Sequence, residues 1–243
     1  TRTITGSDTL LVRQSIGECT GNKAHQVSAT CKALPTRTAP SEDPSYGVGW
    51  MTYDRGVVGR FSSLPVVGHV RYPAGIDSTG ENAALVDYGG KFPIVFVVHG
   101  NSAKFQSPDF DDETSAPDWD PYDEDRWNAV ASCFQKEEDW VRHPTYRGFD
   151  YLLDALAQQG HIAVSIDINE LNCTSGGTPD LERRIELLKE HVSVWLNDFS
   201  ESERFGGRVD FARMGLAGHS RGGEAVLLAP EPLEDQFSYY GLD

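Results

Sequence analysis

The sequence predicts an α/β fold, and three observations carry that expectation. Short apolar runs of strand length alternate with stretches of helical periodicity, the pattern of strands joined by crossover helices. One of those runs, Phe92–Val98, is apolar throughout, as expected of a strand covered on both faces of a mostly parallel sheet. A Gly-rich turn, Gly218-His219-Ser220-Arg221-Gly222, stands between a strand pattern and a helix pattern. At 243 residues the chain can bury most of the surface it would expose unfolded.

Taken in order, residues 1–55 carry scattered Ser, Thr, Gly and Pro with little period, and read as an irregular N-terminal segment. The core is expected over 56–243. Gly56–Leu64 and Val66–Tyr72 read as two antiparallel strands, punctuated by Pro65 and by Pro73-Ala74-Gly75. Asp77–Lys91 is polar and reads as a loop before the strand at Phe92–Val98. Residues 102–145 form an acidic insertion on the surface, broken by Pro108, Pro117 and Pro121. Phe149, Leu152, Leu153 and Leu156 repeat at helical spacing, which predicts a helix over Tyr146–Gln159, with Gly160 as its stop. His161–Asp167 is the next strand. Thr178-Pro179-Asp180 then supplies a cap, a first-turn proline and an acidic start. The stripe Ile185, Leu188, Val192, Trp195, Leu196 and Phe199 makes one apolar face of that helix. Gly206-Gly207 turns the chain, Phe211–Ala217 leads to the Gly-rich turn, and Glu224–Leu228 reads as helix.

Charge narrows the functions. Lys plus Arg number 21 against 37 Asp plus Glu, a net charge of −16. That balance is a poor match to nucleic-acid phosphates and to anionic membrane surfaces. No run of about 18 apolar residues occurs, so no membrane span is expected. Four cysteines, Cys19, Cys31, Cys133 and Cys173, lack metal-ligand spacing, so no zinc site is expected. Their even number fits two disulfides, Cys19–Cys31 and Cys133–Cys173, with four buried thiols as the alternative. Asn172-Cys173-Thr174 is formally a glycosylation sequon.

The turn at 218–222 is a GxSxG motif. A serine hydroxyl is a weak nucleophile and must be presented openly to a general base. A sharp strand-to-helix turn does this, and it crowds its neighbours. Gly218 and Gly222 remove the Cβ atoms that would collide, and Ser220 is left at a helix N-terminus.

With the phrases VVHGN (97–101), YRGFDYLLDALAQQGHIAVSIDIN (146–169) and GGRVDFARMGLAGHSRGGE (206–224), the order from Phe92 to Leu228 resembles the α/β-hydrolase superfamily. The likeness is to its secreted serine esterase and lipase branch, with dienelactone-hydrolase-, chlorophyllase- and cutinase-like members. The resemblance covers a little over half the chain. It implies carboxylic ester hydrolysis by acyl transfer through Ser220, with no cofactor and an extracellular location. The backbone amides of Arg221 and Asn101 would form the oxyanion hole. His99, Gly100, His219 and Glu224 would support the elbow, and Asp167 would be structural.

The sequence departs from the family at one decisive point. The family order is Ser, then Asp or Glu, then His. The seven histidines are His25, His69, His99, His143, His161, His191 and His219, and none follows Ser220. Glu224, Glu231, Glu234, Asp235 and Asp243 follow it, none after a strand at the expected place. Three readings stay open. The chain is a fragment whose triad acid and His lie in missing sequence or on a second chain; or it is a natural truncation, a non-catalytic scaffold; or a non-family base such as His143 serves. Esterase and amidase readings differ only in the leaving group. Asp118, Asp120, Asp123 and Asp125 have the chemistry for calcium but fail the EF-hand spacing, so the insertion reads as a solvated loop. As a lid, it would offer Trp119, Tyr122, Trp127 and Trp140 to a substrate.

Overall fold

A computed structural model describes residues 46–108, 131–134, 137–173, 178–230 and 233. The Cys19–Cys31 pair, the leader through residue 45, the acidic stretch 109–130 and the acids at 231, 234, 235 and 243 lie outside the described residues.

The chain opens with β1 (Gly47–Val57) and β2 (Pro65–Ala74), paired antiparallel with Gly47 opposite Ala74 and Asp54 opposite Val67. The expected hairpin is present, but its first strand lies ahead of the expected Gly56–Leu64. Residues 47–55, expected to be irregular, therefore belong to the sheet. The reason is local. Gly56 and Gly59 have φ of +58° and +80°, which end the strand. The following segment is instead held by the Glu190 carboxylate, which accepts from the amides of Phe61 and Ser62 at 2.6 and 2.9 Å.

β3 (Gly80–Glu81) adds a short parallel pairing to β1. β4 (Phe92–Val98) has the expected bounds. Within the insertion, β5 (Phe105–Gln106), β6 (Ala131–Ser132) and β7 (Val141–Arg142) form a separate antiparallel sheet, with β5 in the middle. A 3-10 turn at Thr145–Phe149 tightens the start of the expected helix, so α1 runs Asp150–Gln158. β8 (Ile162–Ile166), α2 (Thr178–Asn197), β9 (Val209–Gly218) and α3 (Arg221–Leu228) follow.

The large sheet has the order β3-β1-β2-β8-β4-β9. β4 is parallel to both of its neighbours, β8 and β9, while β2 runs antiparallel to β8. Side chains of a strand alternate between faces, and here each face has its own cover. Val97 and Ala163 meet Leu153 of α1 on one side. Phe96, Val98, Ile162 and Val164 meet Leu187, Leu188, Val192 and Trp195 of α2 on the other, with Val226 of α3 beside them. Two covered faces explain why β4 is apolar without alternation. The fold is α/β, a mixed sheet between helical layers. Each fully buried Leu, Val or Phe contributes roughly 1.5–3 kcal/mol relative to exposure. No helix among the described residues is long and apolar enough to cross a membrane.

The small sheet is strapped to the segment after β8. Cys133 and Cys173 form a disulfide. Asn169 donates from Nδ2 to the carbonyls of Lys104 and His143 at 3.2 and 2.7 Å. Asn172 donates from Nδ2 to the Ala103 carbonyl at 3.1 Å. Trp140 is buried here, so it is not an open wall for a substrate. Asn172 is also fully buried, which removes the sequon as a sugar acceptor in the folded chain.

Candidate active site

The C-terminal ends of β4 and β9 lie side by side, with Val98 opposite Gly218. β4 leads towards α1 on one face of the sheet, and β9 leads into α3 on the other. Adjacent strands whose connections leave for opposite faces open a crevice between their carboxyl ends. Ser220 stands at that crevice.

Ser220 is exposed, caps α3 and has φ 52° and ψ −125°. A non-Gly residue in such a conformation is strained by about 1–3 kcal/mol, and it persists only where the surroundings dictate it. They do so here through a set of backbone bonds. The His219 amide donates to the Val98 carbonyl at 3.1 Å, and the Gly222 amide donates to the His219 carbonyl at 2.9 Å. Close approach explains the glycines. A Cβ on Gly222 would strike the carbonyl oxygens of Val98 and His99, and one on Gly218 would strike the Gly222 backbone. A Cβ on Gly100 would lie 2.8 Å from the Ser220 Cβ. The loop after β4 therefore packs directly on the serine, and Asn101 is the next residue of that loop. Glu224 is exposed in the first turn of α3, its amide donating to the Ser220 carbonyl at 3.1 Å.

His99 is buried and fully engaged. The Ile168 amide donates to Nε2 at 3.0 Å, so that nitrogen accepts. Nδ1 lies 2.7 Å from the Gly100 carbonyl oxygen and must carry the proton. Burial drives its pKa down to about 3, against the Gly100 hydrogen bond, with help from the charges of Arg184 and His143. A ring with both nitrogens committed braces loops and does not take a proton from serine. Asp167 is buried as well. Burial raises its pKa, while the Asn169 amide, donating at 2.8 Å, and the Arg142 guanidinium at 3.4 Å oppose the rise. It caps the turn after β8. His143 lies beyond β7, its Nδ1 3.3 Å from the Thr145 hydroxyl. His219 is exposed beside the serine.

Two residues under the crevice escaped the sequence reading. Arg184 is fully buried and donates from Nε to Asp180 Oδ2 at 3.0 Å. Its Nη2 donates to the Asn101 side-chain oxygen at 2.6 Å and to the Leu171 carbonyl at 3.0 Å. Asp180 Oδ2 also lies 3.9 Å from Arg221 Nη1. The available signal was periodic: Arg184 stands one turn before Leu188, on the face that helix α2 buries, and one turn after Asp180. No cluster of His, Cys, Asp or Glu fit to hold a metal ion occurs among the described residues.

No protein-family model matches the chain, and no curated protein matches it. Among solved structures, it is similar to a ferulic acid esterase of the anaerobic fungus Anaeromyces mucronatus, at 16% identity and a TM-score of 0.36. That match covers 79% of this chain and 56% of the other. It is also similar to a ferulic acid esterase of Streptomyces cinnamoneus, at 13% identity and a TM-score of 0.41, covering 80% of this chain and 57% of the other. The chain spans little more than half the length of either protein.

Proposed function

We propose that this chain carries the nucleophile and oxyanion half of a serine hydrolase acting on carboxylic esters. One observation carries the reading: Ser220 is held in a strained, open strand-to-helix turn, with Gly100 packed against it. Ser220 Oγ would attack the ester carbonyl carbon and pass its proton to an imidazole. The negative charge moves to the carbonyl oxygen, where the amides of Arg221 and Asn101 would receive it. Collapse expels the alcohol, which takes the proton back, and water releases the acid by the same route reversed. In this reading the imidazole and the acid that orients it would be supplied by sequence not in this chain. The same geometry serves an amide substrate. The Cys133–Cys173 disulfide supports an extracellular setting.

A second reading is a non-catalytic scaffold. It is carried by the lack of any histidine after Ser220, where the resemblance puts the base. A fluorophosphonate probe separates the two. The protein, isolated with whatever polypeptide accompanies it, is expected to gain one adduct, mapped to Ser220 and absent from Ser220→Ala. An unlabelled Ser220 removes the hydrolase reading and leaves the scaffold.

A further inference from the structure

We infer that the buried Asp180–Arg184 pair is the positioning device of the oxyanion pocket. The inference rests on the reading of Ser220 as nucleophile. The two residues assigned as oxyanion donors come from distant parts of the chain, at 101 and 221, yet the side chains of both converge on this one pair. Arg184 Nη2 holds the Asn101 side chain at 2.6 Å. Asp180 Oδ2 holds Arg184 at 3.0 Å and lies 3.9 Å from the Arg221 guanidinium.

The placement is otherwise hard to explain. Arg184 lies on the buried face of α2, where a leucine would pack at no electrostatic cost. A buried ion pair seldom gains stability over apolar residues of like volume. What arginine adds is a rigid planar fork with several donors in fixed directions. Here the fork takes a carboxylate, a side-chain amide oxygen and the Leu171 carbonyl together. It joins the first turn of α2, the segment after β8 and the loop after β4. A lysine at 184 has no fork with which to hold three acceptors. With the Asn101 side chain tethered, its backbone amide points one way. Misplacing a reacting group by about 1 Å can cost on the order of a hundredfold in rate.

The test uses Asn101→Ala, which removes the tethered acceptor, Asn101→Asp, which restores one, and Arg184→Lys. The readouts are amide 15N order parameters at 101 and 221, and the inactivation rate and reversible affinity for a fluorophosphonate. In Asn101→Ala and Arg184→Lys, the order parameter at 101 is expected to drop from about 0.85 to below about 0.6. The maximal inactivation rate of these two variants is expected to fall tenfold or more at unchanged affinity, and Asn101→Asp, which keeps an acceptor for Arg184, should restore the order parameter at 101 to about 0.85. Order parameters of the first two variants equal to those of the unsubstituted protein overturn the inference, as does an unchanged inactivation rate. If Arg184→Lys does not fold, the Asn101 pair decides. If the unsubstituted protein, isolated with whatever polypeptide accompanies it, does not react, the hydrolase reading falls, and the order parameters alone decide whether the tether exists.

Discussion

Ser220 is strained and Gly222 is confined, and the two conditions are coupled. Ser220 has φ 52°, and two residues on the chain passes so close to the Val98 and His99 carbonyls that a Cβ at Gly222 would strike both. Gly222→Ala is therefore expected to cost about 1–3 kcal/mol of stability by overpacking and to abolish fluorophosphonate labelling of Ser220. Urea unfolding and peptide mapping check the two effects separately. Histidines supply a second residue-scale expectation. Burial lowers His69 to about 4 and both His99 and His191 to about 3, from an ordinary 6.5. Between those values and 6.5 the unfolded chain binds protons that the folded chain refuses. This contribution is whole above about pH 6.5 and is lost as pH falls towards 4 for His69 and towards 3 for His99 and His191. Asp154 and Asp167, raised by burial, act in the opposite sense near the bottom of that window. Urea midpoints should fall from pH 7.5 to pH 5, and His191→Gln should lessen the fall by about one proton's share. The Gly-x-Ser-x-Gly spacing was legible in the sequence because steric crowding leaves few residue types possible there. Asp180 and Arg184 were missed, because an i, i+4 ion pair is ordinarily solvated, and only the register of Arg184 with Leu188 on the apolar face marked this one as buried.

Among the elements, the strapped sheet β6-β5-β7 depends most on a single link. The Cys133–Cys173 bond spans a sequence separation of 40 residues. In the chain-entropy account a loop of that size is worth about 4 kcal/mol. Cys133→Ser with Cys173→Ser is expected to lower unfolding stability by about 3–4 kcal/mol. Hydrogen exchange should quicken at 105–106 and 141–142 before it quickens in β4 or β8. The pairing of these two cysteines was legible from number and order. The little sheet was not, since two-residue strands have no period to read. The hairpin shows the opposite failure. Its pattern announced two strands, but the first lies at Gly47–Val57, because positive-φ glycines and the Glu190 carboxylate, 129 residues from Phe61, decide where pairing stops.

For the molecule as a whole, the described sheet ends at β9, which pairs on one side with β4 and is largely half-exposed or exposed along its length. Leu227 and Leu228 of the adjoining α3 are 62% and 56% exposed. A strand edge beside exposed leucines favours self-association. Sedimentation velocity on this polypeptide alone should show association that rises with concentration. Leu227→Lys with Leu228→Lys should reduce it, and association unchanged by that substitution would place the contact elsewhere. Strand and helix order was legible because burial on two faces writes uninterrupted apolar runs. Which strand neighbours which was not, since adjacency depends on contacts between residues far apart in the chain.

Buried Asn172 has a consequence in time. Sugar is transferred to a sequon while a chain is still unfolded, before its surroundings exist. A glycan placed there could not enter the site where the side chain meets the Ala103 carbonyl. In a eukaryotic secretory host, each new chain would face a race between the transferase and its own collapse. Chains that fold first carry no sugar at this position, and chains that lose the race cannot close the strap.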